Sequence, residues 1–301
     1  MRIGVTGSTG LIGTALVASL EARGDTVVRF VRPDSSPTSG ERVRWNPRTG
    51  DVDESDLTRV GGLDGIVHLA GAGIADHRWS AKYRAEILQS RTSSTGLVVE
   101  IASRLPSGLA TLVSGSAIGY YGNGGDAELS ESSPTGTDYV AEVCRAWEAA
   151  AAPLRDQGTH VSFARTGIVM SRNGGALAKL LPLFAFGLGG SLGNGRQWMA
   201  PISITDEVRA LLFALDQRLE GPVNLVAPTP CTNRELTKAL GAALRRPSFL
   251  RVPSTAMKLV LGTECADATV LTSQRVVPTA LTEAGFTFTS NTIAAILADV
   301  L

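Results

Sequence analysis

The first thirty residues alternate between apolar blocks and polar breaks in a way that predicts their secondary structure. Residues 2–6 (RIGVT) form a short apolar run, the pattern of a buried strand. Leu11, Ala15, Leu16 and Leu20 then recur at helical spacing, and Gly24 stops the helix. TVVRFV (26–31) is rich in β-branched residues and reads as a second strand. After a polar loop, DGIVHLAG (64–71) predicts a strand ending in small residues, followed by a long helix from about Trp79 to Arg104. LATLVSGS (109–116), DYVAEVCRAWEAAAAPL (138–154) and HVSFART (160–166) continue as strand, helix and strand. Strands alternating with helices across mostly short loops predict an α/β fold, a doubly wound parallel sheet covered on both faces.

Beyond residue 170 the rhythm changes. A Gly-rich segment (187–198) precedes a helix at about 205–218 and a strand, GPVNLVA, at 221–227. The remainder is short and helical, punctuated by RRP, RVP and VVP. This divides the chain into a nucleotide-binding domain, 1–170, and a smaller, mainly helical substrate-side lobe, 171–301, laid over the sheet's carboxyl edge. Segment 200–227 is expected to return to the main domain.

Between the first strand and helix lies VTGSTGLIG, with Gly7, Gly10 and Gly13 three residues apart. Glycine at a strand exit permits a tight turn, and at a helix start it lets backbone amides approach a pyrophosphate. A third glycine lets helix and sheet lie close, which is the logic of a Rossmann-type dinucleotide site. The second strand indicates which dinucleotide. Its tip, Val31 and Arg32, lacks the carboxylate that would accept the ribose 2′-OH of NAD. A guanidinium there pairs with a 2′-phosphate, so NADP(H) is the expected cofactor.

Composition narrows the partners. The 301 residues are 44% apolar, with Lys plus Arg equal to Asp plus Glu at 28 each. Zero net charge argues against a protein built chiefly for nucleic acid. Cys144, Cys231 and Cys265 show no disulfide or metal-ligand spacing, so no metal is expected and a reducing, cytoplasmic setting fits. No apolar stretch reaches the roughly 20 residues that span a bilayer, so no membrane partner is expected.

VTGSTGLIG, VHLAG and SGSAIGYYG together resemble the extended short-chain dehydrogenase/reductases, the NAD-dependent epimerase/dehydratase superfamily. IADHRW (74–79), QSR (89–91), GLGGSLGNGRQ (187–197) and the RRP/RVP ending narrow the resemblance to an atypical branch called epimerase family protein, which carries a short C-terminal domain of unknown function. The resemblance covers nearly the whole chain. It implies that Ser8, Thr9, Gly10, Leu11 and Ile12 line the pyrophosphate and Arg32 the adenosine phosphate. Leu69, Ala70 and Gly71 would face the adenosine and ribose. Glu86, Arg91 and Ile168 complete the implied cofactor set, although spacing alone reads Glu86 and Arg91 as solvated helix charges.

The wider family works with a Ser or Thr, a Tyr, and a Lys four residues after the Tyr. Here Ser116, with Ser114 as a substitute, and Tyr139 occupy the first two places, but the third is Val143. Without a nearby cation, a phenol of pKa about 10 stays protonated at neutral pH, which suits a proton donor better than a base. Arg91 and Arg165 are the candidates to supply the missing charge. Tyr121, Arg196 and Gln197 are the implied substrate contacts, with Lys179 upstream, and a basic loop suits an anionic or nucleotide-linked small molecule. Where the branch carries an aromatic and a His, this chain has Pro201 and Ser203. Of the three histidines, His68 reads as a strand residue with a satisfied ring, His77 as the one near substrate, and His160 completes no constellation. Three readings stand: an NADP(H)-dependent oxidoreductase such as a carbonyl reductase, a nucleotide-sugar epimerase or dehydratase, and a non-catalytic NADP(H)-responsive binding protein. The substrate and the pairing of copies into a homo-oligomer are left open.

Overall fold

The computed structural model describes residues 1–35 and 40–301. Along the chain run β1 (Arg2–Thr6), α1 (Leu11–Ala22), β2 (Thr26–Val31), β3 (Glu41–Asn46), β4 (Asp51–Val52), α2 (Glu54–Val60), β5 (Gly65–His68), α3 (Ala81–Arg104) and β6 (Thr111–Ala117). Then follow β7 (Glu128–Leu129), α4 (Tyr139–Ala151), β8 (His160–Thr166), β9 (Ile168–Met170), α5 (Gly175–Ala185), β10 (Gly190–Leu192), β11 (Trp198–Met199), β12 (Pro201–Ser203), α6 (Ile204–Asp216) and β13 (Gly221–Leu225). Eight strands make one sheet in the order β13-β8-β6-β5-β1-β2-β3-β4. Every pairing in it is parallel except β3 with β4.

The register aligns the carboxyl ends. Thr6 lies beside Phe30 and His68, His68 beside Ser114, and Ala117 beside Thr166. The loops that leave these ends therefore gather on one edge, where an open α/β sheet binds ligands. Two apolar layers cover the sheet. On one face Leu16, Val17 and Leu20 of α1 and Leu211 and Leu215 of α6 pack on Ile3, Val5, Val67 and Val113. On the other, Leu57 and Val60 of α2 and Leu97, Val98 and Ile101 of α3 pack on Val28, Phe30, Ile66 and Leu112.

The polar stretch after β2 holds more structure than its composition suggests. Val43 and Trp45 of β3 are the buried pair in ERVRWN, and Arg44 between them faces outward. That strand is stabilised by its place beside β2 and under α2, which local sequence does not reveal. In the second half, β13 is the edge strand of the main sheet and β12 pairs with β9. A separate apolar cluster joins Leu177 and Phe184 of α5 with Leu236, Leu240, Ile296 and Leu297. This cluster stands over the carboxyl edge through Ile168 and Met170 of β9.

Candidate functional site

The turn from β1 into α1 is held open by two glycines. Gly7 has φ of 64°, and a Cβ there would lie 2.8 Å from the Leu69 carbonyl oxygen. A Cβ on Gly13 would collide with the Gly7 carbonyl oxygen, so the helix can lie this close to the turn only without one. Whereas Ser80, Asp138 and Ser203 cap α3, α4 and α6 with side chains, α1 starts at Gly10 with no side-chain cap. Its first-turn amides are thus unspent on side chains and carry the helix's positive pole. Thr9 is exposed, and Leu11 and Ile12 are half-buried on this turn. Ser8 is buried, and its hydroxyl lacks a partner among the described residues. Leu11 meets the loop after β9 at Gly174 and Gly175, which brings the Ile168 segment alongside.

A relay of hydroxyls fixes the neighbouring loop. The Thr6 Oγ1 accepts from the Leu69 and Ala70 amides at 3.0 and 3.1 Å and sits 2.8 Å from His68 Nδ1. His68 Nε2 lies 3.0 Å from Thr95 Oγ1, which itself donates to the Arg91 carbonyl. The Thr6 hydroxyl proton therefore goes to Nδ1, and the imidazole donates from Nε2 to Thr95. Burial drives the His68 pKa down to about 3, so the ring is neutral and structural. The reading of His68 as a satisfied strand residue agrees with this geometry, whereas Thr6 and Thr95 carried no signal in the sequence. Their side-chain roles arise from strand register.

Arg91 reaches across the same edge. Its Nη1 donates to the Ala72 and Ile87 carbonyls at 3.0 and 3.1 Å, and its guanidinium lies 4.9 Å from the Trp147 ring centroid. Its stem lies against Gly71. Glu86, one turn earlier, is exposed. At the tip of β2, Val31 is buried while Arg32 is exposed and has no side-chain partner among the described residues. The fold thus brings the glycine loop, Arg32, residues 69–71, Arg91 and Ile168 to one edge of the sheet.

Ser116 and Tyr139 reach that edge too, each already engaged. Ser116 Oγ donates to Glu148 Oε1 at 2.7 Å. Glu148 also receives Arg165 Nε and Nη2 at 2.8 and 3.0 Å, a bidentate buried pair. Arg165 Nη1 reaches the Tyr121 hydroxyl at 3.0 Å, and Tyr121 donates to Asn224 Oδ1 at 2.7 Å. Burial pushes the Tyr121 phenol up to about 12. Arg165 and Tyr121 are therefore framework residues in this structure, and neither faces an open substrate space.

The Tyr139 hydroxyl donates to the Arg84 carbonyl, and the Arg84 guanidinium lies 4.2 Å from its ring centroid. Burial raises the Tyr139 pKa, and Arg84 and Arg91 offset this only in part. The charge nearest the phenol comes from α3, a source the sequence spacing did not indicate for Arg84. Val143, in the family lysine's place, is buried with Tyr83 and Ile87. An ammonium there would face apolar side chains.

The substrate-side candidates separate. Arg196 is exposed on a groove of about 1110 Å³ that Arg251, Lys258 and Asp126 also line. Gln197 is buried and ties the Leu192 and Val270 carbonyls together. Among the described residues no His, Cys, Asp or Glu cluster could hold a metal ion.

A glycine-cradled turn at the carboxyl edge of a doubly wound parallel sheet is the Rossmann-type nucleotide-binding fold. The chain belongs to the NAD dependent epimerase/dehydratase family, whose model matches residues 3–226, and residues 252–300 match a domain of unknown function, DUF1731. It is 45% identical over 292 residues to the epimerase family protein Mb2239 of Mycobacterium bovis, covering 97% of this chain and 94% of that one. The crystal structure of human epimerase family protein SDR39U1 with NADPH is 33% identical, with a TM-score of 0.90 and coverage of 100% and 99%. A nucleoside-diphosphate sugar epimerase from Corynebacterium glutamicum is 36% identical with a TM-score of 0.80, matching all of this chain and 58% of that one.

Proposed function

We propose that the chain is an NADP(H)-binding oxidoreductase that works in the direction of carbonyl reduction. The observation that carries this reading is Arg32 at the β2 tip, without a side-chain partner among the described residues, beside a glycine turn whose helix amides no side chain caps. The residues fit the cofactor: no Cβ fills the cradle, and the buried Ser8 hydroxyl lacks a partner that a phosphate oxygen would supply. Support comes also from the NADPH in the structure of the human relative. Gly7 to Gly13 would hold the pyrophosphate, Arg32 the 2′-phosphate, and Leu69 to Gly71 with Arg91 the riboses. When bound, the reduced nicotinamide supplies a hydride.

The protein's own part is then the proton. A phenol of ordinary pKa about 10 is protonated at neutral pH, and burial raises Tyr139 further, so it is in the donating form. To serve a substrate oxygen it exchanges the Arg84 carbonyl for that oxygen. A raised phenol works against an epimerase or dehydratase cycle that opens by deprotonating an alcohol. The groove with Arg196 and Arg251, where Lys258 is already paired with Asp267, suits an anionic substrate. Val143, buried among apolar side chains, favours one second reading: a protein that binds NADP(H) and signals its presence without turnover.

Calorimetric titration decides the first step. Arg32→Ala is expected to weaken NADPH binding by about 1.5–3 kcal/mol, the range for a charged hydrogen bond, and to leave NADH nearly unchanged. Equal losses for both nucleotides would contradict the 2′-phosphate assignment. Loss of 340 nm absorbance with a panel of carbonyl compounds then separates the two readings. Tyr139→Phe is expected to lower that turnover by about 10²-fold or more while NADPH still binds. Unchanged turnover would remove the phenol from the reaction, and a tight but inert NADPH complex would favour the second reading.

A further inference from the structure

Apart from Met1, every exposed large apolar side chain among the described residues lies between Leu183 and Val260. Five of them gather by a traceable path. Lys179 and Leu183 of α5 and Phe186, which caps its carboxyl end, follow one another at helical spacing on the outward face, opposite the buried Leu177 and Phe184. Gly187, at φ of 74°, turns the chain against Pro247, and Leu188 follows, exposed. β10 then pairs in parallel with the strand Leu250–Val252, which sets Phe249 and Leu250 beside the turn. Phe186 is 82% exposed and Phe249 80%, so both rings project almost wholly into water. A folded chain seldom leaves two neighbouring rings so exposed unless something covers them.

The charge along the segments that carry them is of one sign. Residues 171–205 and 236–263 contain eight Lys or Arg and no carboxylate, in a chain whose net charge is zero. Lys179, Lys238, Arg245 and Arg246 have no side-chain partner among the described residues. The acids that border these segments are engaged elsewhere: Asp206 holds Arg209, Glu235 is spent in the capping box with Thr232, and Glu264 pairs with Arg84, while Lys258 is taken by Asp267. Arg251, between Leu250 and Val252 on its strand, points to the opposite side and lines the groove with Arg196. The apolar face and the groove are therefore separate features.

We propose that this cation-rimmed apolar face docks on the surface of an anionic lipid bilayer, with Phe186 and Phe249 entering at headgroup depth. Projecting rings suit a deformable interface, and Lys and Arg without side-chain partners among the described residues suit anionic headgroups. A second copy of the chain fits less well, because an isologous contact would set the same unpaired cations against each other. No helix among the described residues is long and apolar enough to cross a membrane. The expectation of no membrane partner rested on that span, which interfacial docking does not need.

The test is cosedimentation of the full chain with phosphatidylcholine vesicles, with and without phosphatidylglycerol. The expected result is binding to the anionic vesicles alone, released by salt. Phe186→Ser with Phe249→Ser is expected to abolish it, with an unchanged thermal melt as the control for folding. Arg245→Gln with Arg246→Gln is expected to weaken it about 25-fold, at about fivefold per cation. No binding to anionic vesicles by the wild-type chain would overturn the proposal. So would a wild-type dimer in sedimentation velocity that the two Phe changes dissociate, which would give the face to a second copy. Equal binding to polyglutamate, indifferent to the Phe changes, would give it to an acidic protein.

Discussion

Glu207→Gln is expected to make the folded chain more stable at pH 8.5 by about 3–5 kcal/mol and to leave it unchanged at pH 4. Glu207 sits in the first turn of α6, fully buried, with one oxygen accepting from Thr166 Oγ1 at 2.8 Å and the other without a partner among the described residues. Burial raises its pKa to about 8 from an ordinary 4.5, and the Thr166 bond offsets only part of this. The folded value lies above the unfolded one, so the folded chain keeps a proton that the unfolded chain releases as pH rises. Stability is then fully present below about pH 4, falls through the window between 4.5 and 8, and levels above it. Glutamine mimics the neutral acid and removes the titration. Urea midpoints at pH 4, 6 and 8.5 measure the effect, and identical wild-type and variant midpoints at every pH would show that Glu207 does not titrate across this window.

Arg165→Met is expected to cost about 3–5 kcal/mol, because it leaves the Glu148 carboxylate buried without its counter-charge. Both side chains are almost wholly buried, and their bidentate bond is the centre of a network that also holds Ser116 and Tyr121. Replacing both partners, Glu148→Leu with Arg165→Met, is expected to recover most of the loss, since apolar side chains of similar volume often equal a buried pair. Chemical denaturation of the two variants checks this. A single variant as stable as the wild type would mean that water reaches the pair. The double variant also frees the Ser116 hydroxyl from Glu148, so its NADPH turnover reports whether that bond positions the serine.

Much of the sheet was legible because β1, β2, β6 and β8 are short apolar runs whose burial needs no particular partner. β3 was not, since ERVRWN carries two buried side chains among charges and reads as a loop until β2 and α2 lie against it. The glycine turn was legible for a related reason: its requirement is backbone geometry, written directly as glycine. Ser116 and Tyr139 could be placed at the carboxyl edge of the sheet, but what each hydroxyl touches was not visible. Glu148 lies nine residues past Tyr139 and looks like a solvated helix charge until the fold sets it against Arg165 of β8.

By itself, then, the sequence determined the alternation of strands and helices, the turn that exposes α1's amides, and the cation at the β2 tip. Each depends on residues close together in the chain. Only the tertiary structure decided that His68 is a neutral strut between Thr6 and Thr95, that Tyr121 and Arg165 serve the framework, and that the charge nearest Tyr139 is Arg84's. These outcomes depend on which side chains from distant segments share low-dielectric space. There a hydrogen bond or a counter-ion alters a group's protonation and orientation far more than its sequence neighbours do.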